Sequence, residues 1–147
     1  RRRIVGRSPI RKTVALYVDS SVVVRATLEQ GLSADLEKRL HSAQQWLTSR
    51  LSTIETMRAL QRAQNMGRID EAAALRLLDE VRGFFAATYI LEMTPRICDL
   101  AAQLAPRSSL RTLDAIHLAS FLFLKQTNPK LEMLTCDHRL AEVTAGI

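Results

Sequence analysis

Residues 13–21 read TVALYVDSS, and this stretch decides the fold. Its first six residues form an apolar run rich in β-branched and aromatic side chains, which has the length of a strand and not of a helix. Such a run is typical of a parallel strand that is buried on both faces. We therefore predict a strand over residues 13–18, ending directly before Asp19.

The remainder of the chain alternates between helical and strand patterns. Further runs of strand type lie at residues 46–51, 88–93 and 131–135. Helical patterns lie at residues 20–29, 34–44, 52–66, 71–85, 95–104, 110–125 and from 138 onward. Strands separated by helices predict a parallel sheet covered on both faces. We therefore expect the α/β class, as a three-layer α/β/α sandwich with a central parallel sheet of four to five strands.

Local signals mark the ends of several predicted helices. Asp70 can cap the helix over residues 71–85, and Gly67 ends the helix before it. Thr94-Pro95 is a good helix start, since it places a capping side chain before a proline whose missing amide costs nothing there. Ser52 and Glu55 form the pattern Ser-x-x-Glu, which predicts a capping box at Ser52.

The length and composition favour one domain with its own core. The chain has 147 residues, of which 47% are hydrophobic. No apolar run approaches the roughly 20 residues of a membrane span, and no secretory signal pattern follows the first arginines. We therefore expect no membrane segment and a cytoplasmic location. Cys98 and Cys136 lack the paired spacing of a zinc or redox motif, so we expect two reduced core thiols.

The positive charge is concentrated at the N-terminus. The net formal charge is +6, and residues 1–12 hold six basic residues and no acidic ones, whereas the rest of the chain holds 15 of each. Such an arm can contact phosphates, although a segment foreign to the native protein would look the same. We therefore divide the chain into a basic arm, residues 1–12, and one domain, residues 13–147, and base no function on the arm.

Four acidic residues fall where the predicted sheet would gather them. Asp19 follows the first strand, Glu55 begins the helix after the second, and Asp137 comes just after the fourth. The carboxyl ends of parallel strands meet at one edge of a sheet, where such folds bind ligands. Asp114 lies within a predicted helix on the same face as Leu118, so it should point into the protein. We therefore predict a cluster of four carboxylates at this edge.

A cluster of four carboxylates requires a compensating cation. Repulsion and desolvation would otherwise be costly or would force some of the acids to take up protons. Mg²⁺ and Mn²⁺ prefer oxygen ligands, and the predicted cluster contains no histidine or cysteine ligand. Such an ion polarises a phosphate oxygen and lowers the pKa of a bound water. The pattern therefore indicates phosphodiester hydrolysis.

Each acid also has a simpler structural explanation. Asp19 and Asp137 could each cap the helix that follows them. The capping box alone could account for Glu55, and Asp114 could form a surface ion pair with Arg111 one turn earlier. Taken one at a time, these alternatives stay open. Together they do not explain why acids recur at the same edge of successive strands, so we favour the metal cluster.

Four motifs, in this order and spacing, resemble those of the PIN-domain ribonucleases, and within them of the VapC toxins of bacterial and archaeal toxin-antitoxin pairs. They are VDSS at residues 18–21, SRLSTIE at 49–55, LRTLDAIHLA at 110–119 and LTCD at 134–137. The resemblance covers residues 14–147. It implies the PIN fold, a Mg²⁺ or Mn²⁺ site, and endonucleolytic cleavage of RNA by a metal-activated water.

The resemblance also assigns roles to individual residues and partners. It implies that the metal-site acids are Asp19, Glu55, Asp114 and Asp137, and that Ser21 and Thr135 are polar residues beside them. For His117 a core or supporting role is favoured over that of a catalytic base, and Arg111 would meet a substrate phosphate or steady an acid. The implied partners are RNA, a VapB-type antitoxin and a second copy of the chain. The helical hairpin over residues 53–85 would supply part of these contacts, although ordinary core packing explains its apolar residues equally well.

Two other functions compete with a toxin endoribonuclease. The first is a PIN domain with a decayed site that binds RNA or protein partners, which the presence of all four acids disfavours. The second is a phosphatase with an aspartyl nucleophile after the first strand, which would need the pattern Asp-x-Asp. Ser21 occupies the position of the second acid, so this function is disfavoured too.

Overall fold

The structure is a computed structural model that describes residues 14–29, 31–104 and 110–147. The predicted arm over residues 1–12, and residue 13, lie outside the described residues. The strands are β1 (Ala15–Val18), β2 (Gln45–Ser49), β3 (Tyr89–Leu91) and β4 (Glu132–Leu134). The helices are α1 (Ser20–Leu28), α2 (Ala34–Ser42), α3 (Arg50–Asn65), α4 (Glu71–Ala86), α5 (Pro95–Leu104), α6 (Thr112–Thr127) and α7 (His138–Thr144).

The four strands form one sheet in the order β3-β2-β1-β4, and every neighbouring pair is parallel. In the register, Tyr17 pairs with Leu47 of β2 on one side and with Met133 of β4 on the other. The prediction of an α/β fold with a parallel sheet of four to five strands is therefore confirmed. Because β1 is central, the residue that follows it lies in the middle of the sheet's carboxyl edge.

The side chains of β1 alternate between two cores. Ala15 and Tyr17 pack on the side of α6 and α7, together with Phe121 and other apolar residues. Leu16 and Val18 pack on the opposite side against α1 and α4. All four residues of β1 are at most 2% exposed, as expected for a strand covered by helices on both faces. This alternation makes the molecule a three-layer sandwich.

The predicted start of α3 is wrong. The helix begins at Arg50, and its cap is Ser49, whose Oγ accepts a hydrogen bond from Leu51 N. Ser52 is a buried residue inside the helix, with its Oγ 2.7 Å from Thr48 Oγ1. Two serines three positions apart offer the same capping signal, and the strand ends at the first of them. No capping box therefore explains Glu55, which lies in the second turn of α3.

Other predicted helix ends are confirmed. Asp70 Oδ1 accepts a hydrogen bond from Ala73 N at the start of α4, and Thr94 Oγ1 accepts one from Ile97 N at the start of α5. Gly67 follows α3 with a φ of 68°, a conformation that glycine adopts without steric cost. These caps fix where α3 ends and where α4 and α5 begin.

Two basic side chains cover the outer edge of β4. Arg39 Nη2 of α2 donates a hydrogen bond to Met133 O at 3.3 Å, and Lys125 Nζ of α6 donates one to Leu131 O at 2.8 Å. These carbonyl groups point away from β1 at the border of the sheet. The two basic side chains therefore donate to backbone carbonyls that form no hydrogen bond with another described strand.

The two cysteines differ in how far they are exposed. Both cysteines are free thiols, but Cys98 is exposed and Cys136 only partly buried. The prediction of core thiols is therefore wrong for Cys98, which lines an open cleft between α5 and α6, whereas Ile97 beside it is buried. In the part of the chain that the structure describes, none of the helices combines the length and the apolarity of a membrane span.

Candidate metal centre

Asp19 lies at the centre of the sheet's carboxyl edge and is buried. Its backbone N donates a hydrogen bond to Leu134 O, which joins the ends of β1 and β4. It occupies the cap position of α1, but its side chain makes no capping hydrogen bond. Instead its Oδ2 accepts hydrogen bonds from Ser21 Oγ at 2.6 Å and from Thr135 Oγ1 at 2.9 Å. Simple helix capping therefore does not account for the Asp19 carboxylate.

Glu55 reaches the same place from α3. Its Oε2 accepts hydrogen bonds from Ser20 Oγ at 2.7 Å and from His117 Nε2 at 2.7 Å. Burial opposes ionisation of Glu55, but the hydrogen bond and the charge of His117, with the hydrogen bond from Ser20, outweigh it and lower the pKa of this carboxyl. Glu55 is therefore a carboxylate held towards the interior.

His117 of α6 lies between the two acids. Its Nε2 is 3.1 Å from Asp19 Oδ1 as well as 2.7 Å from Glu55 Oε2. Its Nδ1 is 2.9 Å from the hydroxyl of Tyr17, which is wholly buried. Burial works against a charged imidazole, but the hydrogen bond to Glu55 and the negative charges of Asp19, Glu55 and Asp114 overcome it and raise the pKa of His117. The ring is therefore fixed at both of its nitrogens.

Asp19, Glu55 and His117 form a compact group. Each offers one ligand atom, and these atoms all lie within 4.8 Å of one another. Within the described ranges, this is the group of histidine, cysteine and acidic side chains that is close enough to hold one metal ion. We expected a cluster of carboxylates only, and the structure adds a histidine nitrogen to it.

Asp114 lies close to this group but not in it. Its charge reaches His117 one turn later on α6, and its Oδ2 accepts a hydrogen bond from Arg111 N at 3.2 Å. Between the described side chains of Arg111 and Asp114 there is no ion pair, so the surface ion pair considered above does not form. Asp114 therefore sits at the start of α6 as a carboxylate that interacts with its own helix backbone.

Asp137 is connected to the group through Thr135. Its backbone N donates a hydrogen bond to Thr135 Oγ1, which itself donates to Asp19 Oδ2. The Asp137 side chain caps α7, where its Oδ1 accepts a hydrogen bond from Leu140 N at 3.0 Å. The alternative that Asp137 caps the last helix therefore agrees with the structure. Of the four predicted acids, the structure brings Asp19 and Glu55 together and places Asp114 and Asp137 outside the three-residue group.

Sequence reasoning missed two contributors to this site. Ser20 holds Glu55, and Tyr17 holds His117. Alternation along β1 gives a signal for Tyr17, since residues two apart on a strand point to the same side, and Tyr17 precedes Asp19 by two. No comparable signal identifies Ser20, because its partner lies 35 residues away.

The donor set suits a hard divalent cation. The carboxylate oxygens of Asp19 and Glu55 converge, and three hydroxyl groups orient them, from Ser20, Ser21 and Thr135. Two neighbouring acids repel each other, and a cation bound beside them would offset this repulsion. Oxygen-rich sites of this kind fit Mg²⁺ and Mn²⁺ better than softer metals. Asp19 and Glu55 would therefore hold such an ion.

Comparisons with known proteins agree with this geometry. Residues 16–146 match the PIN domain family. The chain is 36% identical over 106 residues to Ribonuclease VapC46 of Mycobacterium tuberculosis (strain ATCC 25618 / H37Rv), which covers 72% of this chain and 73% of the relative. It is 29% identical over 136 residues to Ribonuclease VapC35 of the same species, covering 90% of this chain and 91% of the relative.

Two solved structures share the fold. PAE2754 from Pyrobaculum aerophilum has a TM-score of 0.62 and 25% identity, covering 91% of this chain and 82% of its own. Mycobacterium tuberculosis VapC20, described as a Sarcin-Ricin loop cleaving toxin, has a TM-score of 0.61 and 16% identity, covering 87% of this chain and 94% of its own. The family match spans nearly the whole described chain and the sequence relatives are VapC ribonucleases, so the protein belongs to the PIN-domain family and, within it, to the VapC group.

Proposed function

We propose that this protein is a metal-dependent endoribonuclease and the toxin of a toxin-antitoxin pair. The observation that carries the proposal is the convergence of the buried Asp19 carboxylate and the partly buried Glu55 carboxylate at the sheet's carboxyl edge. The names of the sequence relatives, Ribonuclease VapC46 and VapC35, support RNA as the substrate. RNA cleavage also supports the cytoplasm as the place of action.

The proposed cofactor is Mg²⁺ or Mn²⁺. Asp19 and Glu55 would hold the ion, and we assign Asp114 and Asp137 to the same set of acids because they border the group at the same edge. When bound, such an ion supplies an activated water and polarises a phosphate oxygen. The chain's own part is to orient the carboxylates, which the three hydroxyl groups and His117 support through their hydrogen bonds.

Other residues have proposed supporting roles. Ser21 and Thr135 both donate to Asp19 Oδ2 and would keep this carboxylate in one orientation. Arg111 is exposed at the start of α6, next to the acids. Its guanidinium would bind a phosphate of the RNA, since arginine presents several donors in a planar fork. We assign residues 13–147 to the nuclease domain and residues 1–12 to a separate basic arm.

Replacement of single acids tests the proposal. Asp19→Asn, Glu55→Gln and Asp114→Asn should each abolish Mg²⁺-dependent cleavage of RNA, because each removes a negative charge that faces the cation. The measurement is cleavage of total RNA by purified protein, with and without a chelator. Asp99→Asn is the matched control, since Asp99 is exposed on α5 and should keep full activity.

Two results would contradict the proposal. Cleavage that survives Asp114→Asn would remove Asp114 from the metal site. Calorimetry that detects no Mn²⁺ binding to the unsubstituted protein would favour a PIN domain with a decayed site that binds RNA or protein. Circular dichroism of each variant separates loss of chemistry from loss of the fold.

The proposed partners are a VapB-type antitoxin and a second copy of the chain. The hairpin formed by α3 and α4 exposes large apolar side chains, namely Ile54, Met57, Met66 and Leu75. A cleft of about 220 Å³ lies between the two helices and is lined in part by Met57, Leu60 and Leu78. Apolar side chains exposed beside a cleft suit an amphipathic helix from a partner. Sedimentation of the chain alone and with a co-expressed antitoxin measures both associations, and a monomer in both cases would contradict them.

A further inference from the structure

His117 is held by three groups that surround it on both edges of the ring. Nε2 lies 2.7 Å from Glu55 Oε2 and 3.1 Å from Asp19 Oδ1, and Nδ1 lies 2.9 Å from the Tyr17 hydroxyl. Tyr17 packs edge-on against both His117 and Phe121. A ring with partners at both nitrogens and tight packing around it has one orientation. His117 therefore fixes the distance between the two acids that approach it.

The two carboxylates indicate where the ring carries its proton. A bare lone pair on Nε2 facing two carboxylate oxygens would be repelled by both, whereas an N–H is attracted to both. Nδ1 faces a hydroxyl, which can donate to a lone pair and can also accept from an N–H. Tyr17 is therefore a suitable partner for Nδ1 in either charge state of the ring.

We propose that Tyr17 and His117 are positioning residues of the metal centre: Tyr17 holds the ring so that Nε2–H donates to Glu55 and bridges to Asp19 by electrostatic attraction, and His117 does not bind the metal itself. This inference rests on the proposed function for its metal ion. The experiments that test it are different, because they detect the position of a proton and the affinity for a metal ion and not the cleavage of RNA.

The alternative is that His117 itself binds the metal ion. If His117 bound the metal, Nε2 would present its lone pair to the ion and Nδ1–H would donate to the Tyr17 hydroxyl, as the second nitrogen of metal-bound histidines usually does. The two arrangements place the proton of the neutral ring on different nitrogens. Nitrogen NMR distinguishes them directly.

The first experiment records the ¹⁵N signals of labelled histidine in the unsubstituted protein, with and without saturating Mg²⁺. The chain has three histidines, and comparison with His117→Gln assigns the signals of His117. We expect Nε2 to carry a proton in both samples. An Nε2 that is unprotonated in the Mg²⁺-loaded sample, with the proton on Nδ1, would overturn the proposal.

The second experiment measures Mn²⁺ binding by calorimetry. Tyr17→Phe removes only the hydroxyl, and the Kd for Mn²⁺ should rise about tenfold, in the range found when partners of metal-site residues are removed. The matched control is Tyr89→Phe, which removes the same group from an exposed tyrosine and should leave the Kd unchanged. An unchanged Kd for folded Tyr17→Phe would overturn the proposal.

Two substitutions of His117 test the bridging N–H. His117→Gln keeps an N–H donor near the position of Nε2, whereas His117→Leu keeps none. We expect the glutamine variant to retain much more Mn²⁺ affinity than the leucine variant. Equal losses in two folded variants would contradict the bridge. If neither variant folds, the NMR result on the unsubstituted protein decides.

Activity measurements then separate this inference from the proposed function. At saturating Mn²⁺, cleavage by Tyr17→Phe should recover towards the unsubstituted level, because positioning acts through metal affinity. If kcat stays low while the affinity for Mn²⁺ is unchanged, Tyr17 does not act by positioning the metal ligands, and the proposal is contradicted. A weakened Mn²⁺ site in a protein that cuts no RNA would support the positioning role and reject the ribonuclease.

Discussion

Hydroxyl groups orient the carboxylates of the candidate metal centre. Asp19 accepts from Ser21 and Thr135, and Glu55 accepts from Ser20. Asp19 and Glu55 could be placed at one edge of the sheet from the sequence, because each follows a predicted strand and a strand end is a local feature. The hydrogen bonds of His117 could not be predicted in the same way, since His117 and Glu55 are 62 residues apart and Tyr17 and His117 are 100 residues apart. Such pairings depend on how the helices dock, which no local pattern encodes.

Loss of the Ser20 hydroxyl should weaken metal binding. Ser20→Ala removes the donor that lies 2.7 Å from Glu55 Oε2 and leaves His117 as the remaining described donor to this carboxylate. We expect the Kd for Mn²⁺ to rise about tenfold, as for other residues that orient a metal ligand. Calorimetry measures the effect. Ser42→Ala is the control, because Ser42 is exposed and donates a hydrogen bond to Arg39 O of its own helix, and equal affinity in both variants would contradict the role of Ser20.

Helix ends were predicted well where one capping residue stood alone and poorly where two competed. Asp70 and Thr94 each precede a clear helical pattern, and both accept the expected hydrogen bond. At α3 the sequence offers both Ser49 and Ser52, and the pattern Ser-x-x-Glu favoured the wrong one. The structure uses Ser49 because β2 ends there, while Ser52 is buried next to Thr48. Strand length, which is set by the neighbouring strand, therefore decided the helix start.

Removal of the α4 cap should destabilise the protein modestly. Asp70→Ala deletes the oxygen that accepts from Ala73 N at 2.7 Å. We expect the free energy of unfolding to fall by about 1 kcal/mol, as for other capping residues replaced by alanine. Urea denaturation measures this change. The control is Asp79→Ala in the middle of the same helix, where an exposed acid caps nothing, and a loss as large as that of Asp70→Ala would contradict the capping role.

Two cores, one on each face of the sheet, hold the three layers together. The sequence predicted the layers correctly because the pattern of β1, apolar at every position, fits only a strand with helices on both sides. It could not predict which helices share a core. Phe121 of α6 joins Tyr17 of β1 and Leu140 of α7 in one of them, and these residues are distant in sequence. Long-range packing of this kind appears only once the whole chain is folded.

Truncation of Phe121 should destabilise the whole domain. Phe121→Ala removes a ring that is 2% exposed and leaves a cavity beside Tyr17. We expect the free energy of unfolding to fall by about 3–5 kcal/mol. Phe123→Ala is the matched control, since Phe123 is only partly buried and should cost clearly less. Chemical denaturation compares the two, and equal losses would contradict the central place of Phe121 in this core.

The cations that cover the border of β4 have a consequence for the behaviour of the protein at high concentration. An uncovered strand border invites pairing with other chains, and positive side chains there discourage it. Arg39 and Lys125 already donate to outward-facing carbonyls of this border. An incoming strand would have to displace both cationic side chains before it could form backbone hydrogen bonds with β4. We therefore expect this border to resist pairing with strands of other chains.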